Sequence, residues 1–112
     1  MTKYVLIKFP NGDQFKIPAK VIADSRATYY ANKEEGDQTG TMHPTEEWSK
    51  LYREEFDITE EDDYELTDWL WNNMDWKDVE KRVIRVTQPE KYDYANHWMA
   101  IQNESNYEVI KE

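Results

Sequence analysis

Hydrophobic and polar positions alternate at the beginning of the chain, with the period of a β-strand. Residues 3–9, KYVLIKF, are rich in β-branched and aromatic side chains, and residues 14–17 place Phe15 and Ile17 on one face. The sequence Pro-Asn-Gly-Asp stands between them, and Asn-Gly is a strong signal for a tight turn. We predict a β-hairpin with strands at 3–9 and 14–17.

After Pro18 the apolar spacing changes to three and four residues, which predicts an amphipathic helix over residues 18–33. Arg26 and Tyr29 lie beside its apolar stripe, and an arginine buried there would require a carboxylate partner. Residues 34–44, EEGDQTGTMHP, are predicted to be a loop because glycine, proline and polar side chains leave little to bury.

A second helix is predicted over residues 45–56, since Pro44 and the acids after it suit a first helical turn. Trp48, Leu51, Tyr52, Glu55 and Phe56 recur at helical spacing and mark one face of this helix. A break is expected at Asp57-Ile58. A third helix is then predicted over residues 62–74, capped by Thr59 or Asp63.

The third helix carries a predicted buried stripe of Leu66, Trp69 and Leu70, continued by Asn73 or Met74. Trp71 points away from this stripe. Residues 75–78, Asp-Trp-Lys-Asp, are predicted to form a turn or a short helical turn.

The last third of the chain returns to strand patterns. Residues 82–87, RVIRVT, predict a strand that Pro89 ends, and residues 106–110, NYEVI, predict a final strand. Residues 92–103 fit a helix by the spacing of Tyr94, His97, Trp98 and Ile101, or an extended run by Tyr92 with Tyr94. We favour the extended form.

This order of elements predicts an α+β fold in a single domain, residues 1–112. The N-terminal hairpin and the C-terminal strands would join one mostly antiparallel sheet, packed by about three helices. Only 38% of the residues are hydrophobic, but 16 aromatic side chains offset that low fraction because each buries a large area.

The formal net charge of −10 is concentrated in the middle of the chain. Counting Lys and Arg against Asp and Glu, residues 1–33 carry +4, residues 34–65 carry −11 and residues 66–112 carry −3. Direct contact with nucleic-acid phosphates or an anionic membrane is disfavoured, whereas basic protein partners are favoured.

The sequence contains no catalytic or metal-binding signature, so we predict neither an enzyme nor a cofactor. It has no cysteine, and His43 and His97 are far apart. A calcium loop beginning at Asp57 fails because Asp62 replaces the required glycine and Asp68 the usual glutamate. No signal peptide or membrane span is evident, and we expect a cytoplasmic protein.

Two segments resemble a loose group of small acidic proteins from phages and bacterial genomes. They are VIADSRATYYA at residues 21–31 and ELTDWLWNNMDWKDV at residues 65–79. The resemblance covers about the first three quarters of the chain and implies a phage or mobile-element setting, hence a host cytoplasm. It implies no activity, because such proteins have no established function.

The leading hypothesis is a non-enzymatic protein that presents an acidic, aromatic surface to a basic protein. In its sharpest form it mimics DNA and inhibits a nucleic-acid enzyme. The candidate partner-binding residues are Glu54, Glu55, Asp57, Glu60, Glu61, Asp62, Asp63, Tyr64, Trp71 and Trp76. The alternative is a small-ligand or ion-binding domain with a pocket around Tyr29, Tyr30 and the tryptophans. An enzyme would require a buried carboxylate next to His97.

Overall fold

A four-stranded antiparallel sheet forms one layer of the structure, a computed structural model that describes residues 2–36, 45–87, 92–103 and 105–112. Strands β1 (Lys3–Lys8) and β2 (Gln14–Pro18) form the predicted hairpin. Gly12, at φ 93°, takes the left-handed turn conformation that favours glycine. Strands β3 (Ile84–Arg85) and β4 (Tyr107–Lys111) complete the sheet in the order β3-β2-β1-β4, which confirms the α+β prediction.

The pleat of the sheet sends alternate side chains into the core. Val5 and Ile7 of β1 are fully buried, and they pair with Val109 and Tyr107 of β4, which therefore share that face. Phe15 and Ile17 of β2 are buried on the same face, as the alternation predicted.

Helix α1 (Ala19–Glu35) follows β2 directly and extends two residues beyond its predicted end. Ala23, Ala27 and Ala31 are fully buried at intervals of four, so they form one row of small side chains along the helix. The helix ends at Gly36, whose φ of 84° favours glycine. The rest of the predicted 34–44 loop, with His43 and Pro44, lies outside the described residues.

Helix α2 (Glu46–Glu61) is continuous, so the predicted break at Asp57-Ile58 is wrong. Thr59 does not cap the next helix: it is fully buried within α2, where its hydroxyl donates to the Glu55 carbonyl at 2.7 Å. The cap of helix α3 (Asp63–Asn73) is Asp62, whose Oδ1 accepts from the Tyr64 and Glu65 amides at 2.9 and 3.2 Å. The predicted cap Asp63 is therefore wrong, and the cap lies one residue earlier.

The stripe predicted on α3 is confirmed. Leu66, Trp69 and Leu70 are buried, and Met74 rather than the exposed Asn73 continues them. The short helix α4 (Trp76–Val79) matches the predicted helical turn.

The C-terminal third departs from two predictions. The strand expected at 82–87 shrinks to the two residues of β3, and Pro89 lies outside the described residues. The extended form of 92–103 is wrong, since helix α5 (Tyr94–His97) and a 3-10 turn (Met99–Ile101) occupy it. Tyr94, Trp98 and Ile101 are buried there at helical spacing. The final strand is confirmed as β4.

Candidate functional site

The acidic residues of the middle segment lie along α2 and around its junction with α3. Most of the candidate acids are exposed: Glu54, Asp57, Glu61, Asp62 and Asp63. Glu60 is half-buried. Glu55 faces inward, and its carboxylate lies 3.5 Å from the guanidinium of Arg26. The structure thus separates one structural acid from a group that solvent reaches.

Two apolar side chains are exposed among these acids, where α2 ends and α3 begins. Ile58 is 52% exposed and Tyr64 is 71% exposed. They line one shallow depression of about 610 Å³ together with Glu61, Asp62 and Asp63, and with Lys3 and Lys111 at its edge. We call the set Ile58, Glu61, Asp62, Asp63 and Tyr64 the junction surface.

The end of α2 is electrostatically unfavourable for the acids it carries. Glu60 and Glu61 stand in the last turn, where the partial negative charge of the helix dipole disfavours anions, and that turn has no basic residue. Lys3 compensates from the sheet, since its Nζ donates to the Glu60 carbonyl at 2.7 Å and to Asp63 Oδ1 at 2.8 Å. Lys20 and Lys111 line a depression with the same two acids, so nearby cations offset part of this cost.

The three aromatic candidates differ in position. Tyr64 is exposed on the junction surface, whereas Trp76 is only 8% exposed and packs against Phe9 and Phe15 in the core. Trp71 is half-buried, with its ring 4.9 Å from that of Trp98 and 5.2 Å from that of Tyr107. Tyr64 is thus the candidate anchor most open to a partner, and Trp76 is a core residue.

Arg26 explains why Glu55 faces inward. Its guanidinium donates to Thr59 Oγ1 at 2.8 Å and lies 3.5 Å from Glu55 and 3.3 Å from Glu65, which supplies the carboxylate partners expected of a buried arginine. This side chain of α1 therefore joins α2 to α3 and fixes the angle at which the junction surface is presented.

A second polar contact joins α1 to α2. The Tyr52 hydroxyl donates to Asp24 Oδ1 at 2.5 Å, and burial followed by that hydrogen bond raises the pKa of Tyr52 above its usual value. The hydrogen bond of a tyrosine whose pKa is raised on folding contributes its full stability below the unfolded-state pKa of about 10. This stability is lost as the pH rises through the folded-state pKa.

We expect Tyr52→Phe to lower the free energy of unfolding by about 1 kcal/mol at neutral pH, because it deletes one hydrogen bond and keeps the ring. The variant should also lose less stability than the wild-type protein between neutral pH and about pH 11. Urea unfolding at several pH values measures both effects, with Tyr29→Phe on the exposed side of α1 as control. Equal pH dependence of the two variants would contradict the assignment.

The aromatic residues of the alternative hypothesis come together, with the ring of Trp69 5.5 Å from that of Tyr29 and 5.9 Å from that of Tyr30. Tyr29 is 51% exposed and packs edge-on against Tyr30, while Trp69 donates its Nε1–H to Ser25 at 3.1 Å. Tyr30 lines an open depression between α1 and α2 of about 480 Å³, walled mainly by glutamates. The residues described here contain no group of three potential ligands that could hold a metal ion. Ligand binding stays a prediction.

A buried polar cluster around Asp13 was missed by the sequence analysis. Asp13 is 4% exposed and accepts from the Tyr94 hydroxyl at 2.5 Å, from Thr87 at 2.9 Å and from Asn11 at 3.0 Å, with Arg85 3.6 Å away. The hydrogen bond from Tyr94 is the main cause of the lowered pKa of Asp13, and burial raises the pKa of Tyr94. Thr87 and Tyr94 are 74 and 81 positions away from Asp13, so no local pattern could identify them as its partners.

This cluster does not meet the requirement stated for an enzyme. His97 Nδ1 lies 2.8 Å from the Asp93 carbonyl and its ring packs against Tyr92, whereas Asp13 accepts hydrogen bonds from Asn11, Thr87 and Tyr94. A carboxylate with a lowered pKa is a poor general base near neutral pH. The cluster joins the hairpin turn to β3 and α5, which is a structural role.

Comparisons with protein-family models, curated proteins and solved structures found no match. The resemblance to small acidic phage and bacterial proteins therefore stays a prediction. No described helix has the length and apolar character needed to cross a membrane.

Proposed function

We propose that this protein is a non-enzymatic interaction protein that binds a basic surface of another protein. One observation carries the proposal: the junction surface exposes Ile58 and Tyr64 beside Glu61, Asp62 and Asp63. An exposed tyrosine with an apolar neighbour is typical of a binding hot spot, and the surrounding acids attract cationic side chains. The partner would be a host protein met in the cytoplasm, in a phage or mobile-element setting.

The position of Glu60 and Glu61 supports the same proposal. The helix dipole of α2 disfavours these acids, and Lys3, Lys20 and Lys111, which line a depression with them, offset only part of that cost. Local rules of stability are often broken at functional sites, and a surface that binds cations is one physical reason for such a break. The sharpest form of the proposal is a DNA mimic that occupies the nucleic-acid site of an enzyme.

Two matched substitutions separate stability from binding. Glu61→Gln should raise the free energy of unfolding by about 0.3–0.5 kcal/mol, because it removes an acid from the last turn of α2, and it should weaken partner binding. Glu47→Gln makes the same charge change in the first turn, so it should lower stability by a similar amount and leave binding unchanged. Urea unfolding and a binding assay on both variants measure the two effects.

The partner is sought by capture from a bacterial lysate on immobilised wild-type protein, on Tyr64→Ala and on Glu61→Gln. A specific partner should be retained at low salt, released at about 0.5 M salt, and weakly retained by both variants. Release by added duplex DNA would support the mimicry form. Partners insensitive to salt and to both substitutions would refute the proposal.

A further inference from the structure

Strand β4 is the last strand of the sheet and has an open backbone edge. The described part of the chain gives it one neighbour, β1. Thr2 and Glu112 exchange both backbone hydrogen bonds, at 2.6 and 2.8 Å, and the Lys8 amide donates to the Asn106 carbonyl at 2.8 Å. Because antiparallel pairs alternate, the backbone groups of Tyr107, Val109 and Lys111 point away from β1, towards the open edge.

A groove of about 410 Å³ runs beside that edge, between β4 and α3. Trp71, Tyr107 and Val109 supply its aromatic and aliphatic wall. Asp68 and Asp63 supply acidic groups, and Lys3 occupies Oδ1 of Asp63. The side chains of Tyr107 and Val109 thus line the groove, while their backbone groups face the edge. A strand added to β4 would send alternate side chains into the groove.

Trp71, which lines the groove, also carries a polar atom that lacks a partner. The Nε1–H of Trp71 is buried and has no acceptor among the described residues. A buried donor without an acceptor is costly, and an acceptor brought by a bound segment would remove that cost.

We propose that an extended segment of a partner protein adds to β4 as a further strand. Every second side chain of the segment enters the groove: an amide such as glutamine accepts from Trp71 Nε1–H, and arginine or lysine on either side of it meets Asp63 and Asp68. The inference rests on the proposed function, because it specifies how a basic partner is recognised. Tyr64 lines the same groove, so the junction surface continues into it.

A second copy of this chain is the competing occupant, and charge disfavours it. A two-fold pairing of β4 with itself would place the α3 helices on either side of one groove. Asp63 and Asp68 would then approach their symmetry mates, and each chain already carries −10. A basic segment removes this repulsion.

The probe is a capped seven-residue peptide, Thr-Arg-Thr-Gln-Thr-Arg-Thr, titrated into the full ¹⁵N-labelled protein. We expect the amides of Tyr107, Val109 and Lys111 to shift and to become protected from hydrogen exchange. The control peptide has the same side chains, but the backbone amides that would face β4 are N-methylated. It should not bind, because it cannot form the hydrogen bonds of the strand ladder.

Two substitutions test the backbone and the side-chain contacts separately. Val109→Pro removes an outward N–H and should weaken binding at least about tenfold while the protein stays folded. Glu108→Pro removes a bond to β1 and should instead destabilise the protein. Trp71→Phe should weaken the glutamine peptide about fivefold and leave a valine analogue unchanged, as expected for one hydrogen bond of about 1 kcal/mol.

The N-methylated peptide keeps the test decisive even where Val109→Pro fails to fold. Equal binding of the methylated and unmethylated peptides, no binding of either, or amide shifts confined to regions away from β4 would overturn strand addition. A dimer in solution that Val109→Pro dissociates would assign the edge to a second copy and overturn it too. If strand addition fails in this test, the proposed function can still hold. Capture of a salt-sensitive partner whose retention depends on Tyr64 and Glu61 would support it independently of β4.

Discussion

Replacing Asp13 with alanine is expected to lower the free energy of unfolding by about 3–4 kcal/mol, the largest effect we predict for a single polar residue. The substitution deletes an acceptor at which Tyr94, Thr87 and Asn11 converge, and it removes the carboxylate 3.6 Å from Arg85. Tyr94 is 9% exposed, so water cannot readily replace the lost partner.

The pH dependence of stability gives the sign of the Asp13 contribution. A carboxylate with a lowered folded-state pKa stabilises the protein fully above its unfolded pKa of about 3.9, and the stability is lost as the pH falls through the folded-state pKa. Asp13→Asn does not titrate, so the stability difference between wild type and this variant should narrow below about pH 4.

Chemical unfolding between about pH 3 and pH 7 measures this difference, and Asp93→Asn, at an exposed acid in the same region, is the control. A loss below about 0.5 kcal/mol in Asp13→Ala would show that the buried cluster contributes little. A difference between wild type and Asp13→Asn that does not change with pH would contradict the lowered pKa.

Replacing Arg26 with methionine is expected to lower the free energy of unfolding by about 3 kcal/mol, and the melting temperature by about 10 °C. The Arg26 side chain is 14% exposed. Its removal leaves the inward-facing Glu55 carboxylate without its cation and removes the hydrogen bond to the fully buried Thr59. Methionine keeps the aliphatic volume, so the loss reports the charged and hydrogen-bonding groups.

Arg53→Met on the exposed side of α2 removes the same charge and should change stability by less than about 0.5 kcal/mol. The double variant Arg26→Met with Glu55→Gln should recover part of the loss, because it neutralises the carboxylate that the first substitution leaves unpaired. If the stability loss of the double variant equals the sum of the losses of the two single variants, Arg26 and Glu55 do not interact and the direct pairing is contradicted.

The variants Asp13→Ala and Arg26→Met also test whether partner binding depends on the junction surface. Arg26 holds α2 and α3 together, so Arg26→Met should disturb the junction surface without changing any of its residues. Asp13 lies at the hairpin turn, whereas Lys3, at the other end of β1, contacts the junction surface. Asp13→Ala should therefore leave partner binding unchanged at temperatures where the variant is folded. Binding assays on both variants therefore distinguish presentation of the surface from overall stability.

Local patterns determined much of the fold. Alternation and Asn-Gly predicted the hairpin, three-and-four spacing predicted α1 and the buried stripe of α3, and the β-branched run near the C-terminus predicted β4. Each signal depends on neighbours a few residues apart. The concentration of −11 in residues 34–65 is likewise a property of the sequence alone.

Tertiary contacts decided the rest. Thr59 has the chemistry of a cap, yet Arg26, 33 positions away, holds it inside a continuous α2. Within residues 92–103, α5 and the 3-10 turn flank Trp98, whose Nε1–H donates to the Met74 carbonyl at 2.9 Å, a contact that no local pattern contains. Asp13 meets Thr87 and Tyr94, 74 and 81 positions away, only in the folded chain.

The same distinction applies to the candidate surface. The sequence alone showed which residues carry charge, and only the fold determined that Glu55 faces Arg26, that Trp76 enters the core, and that Ile58 lies beside Tyr64 in the open. Exposure depends on which distant elements pack together, since a side chain's solvent contact is set by neighbours from elsewhere in the chain. Short-range periodicity therefore determines most of the elements, whereas long-range packing decides the ambiguous ones and the surface that all of them present.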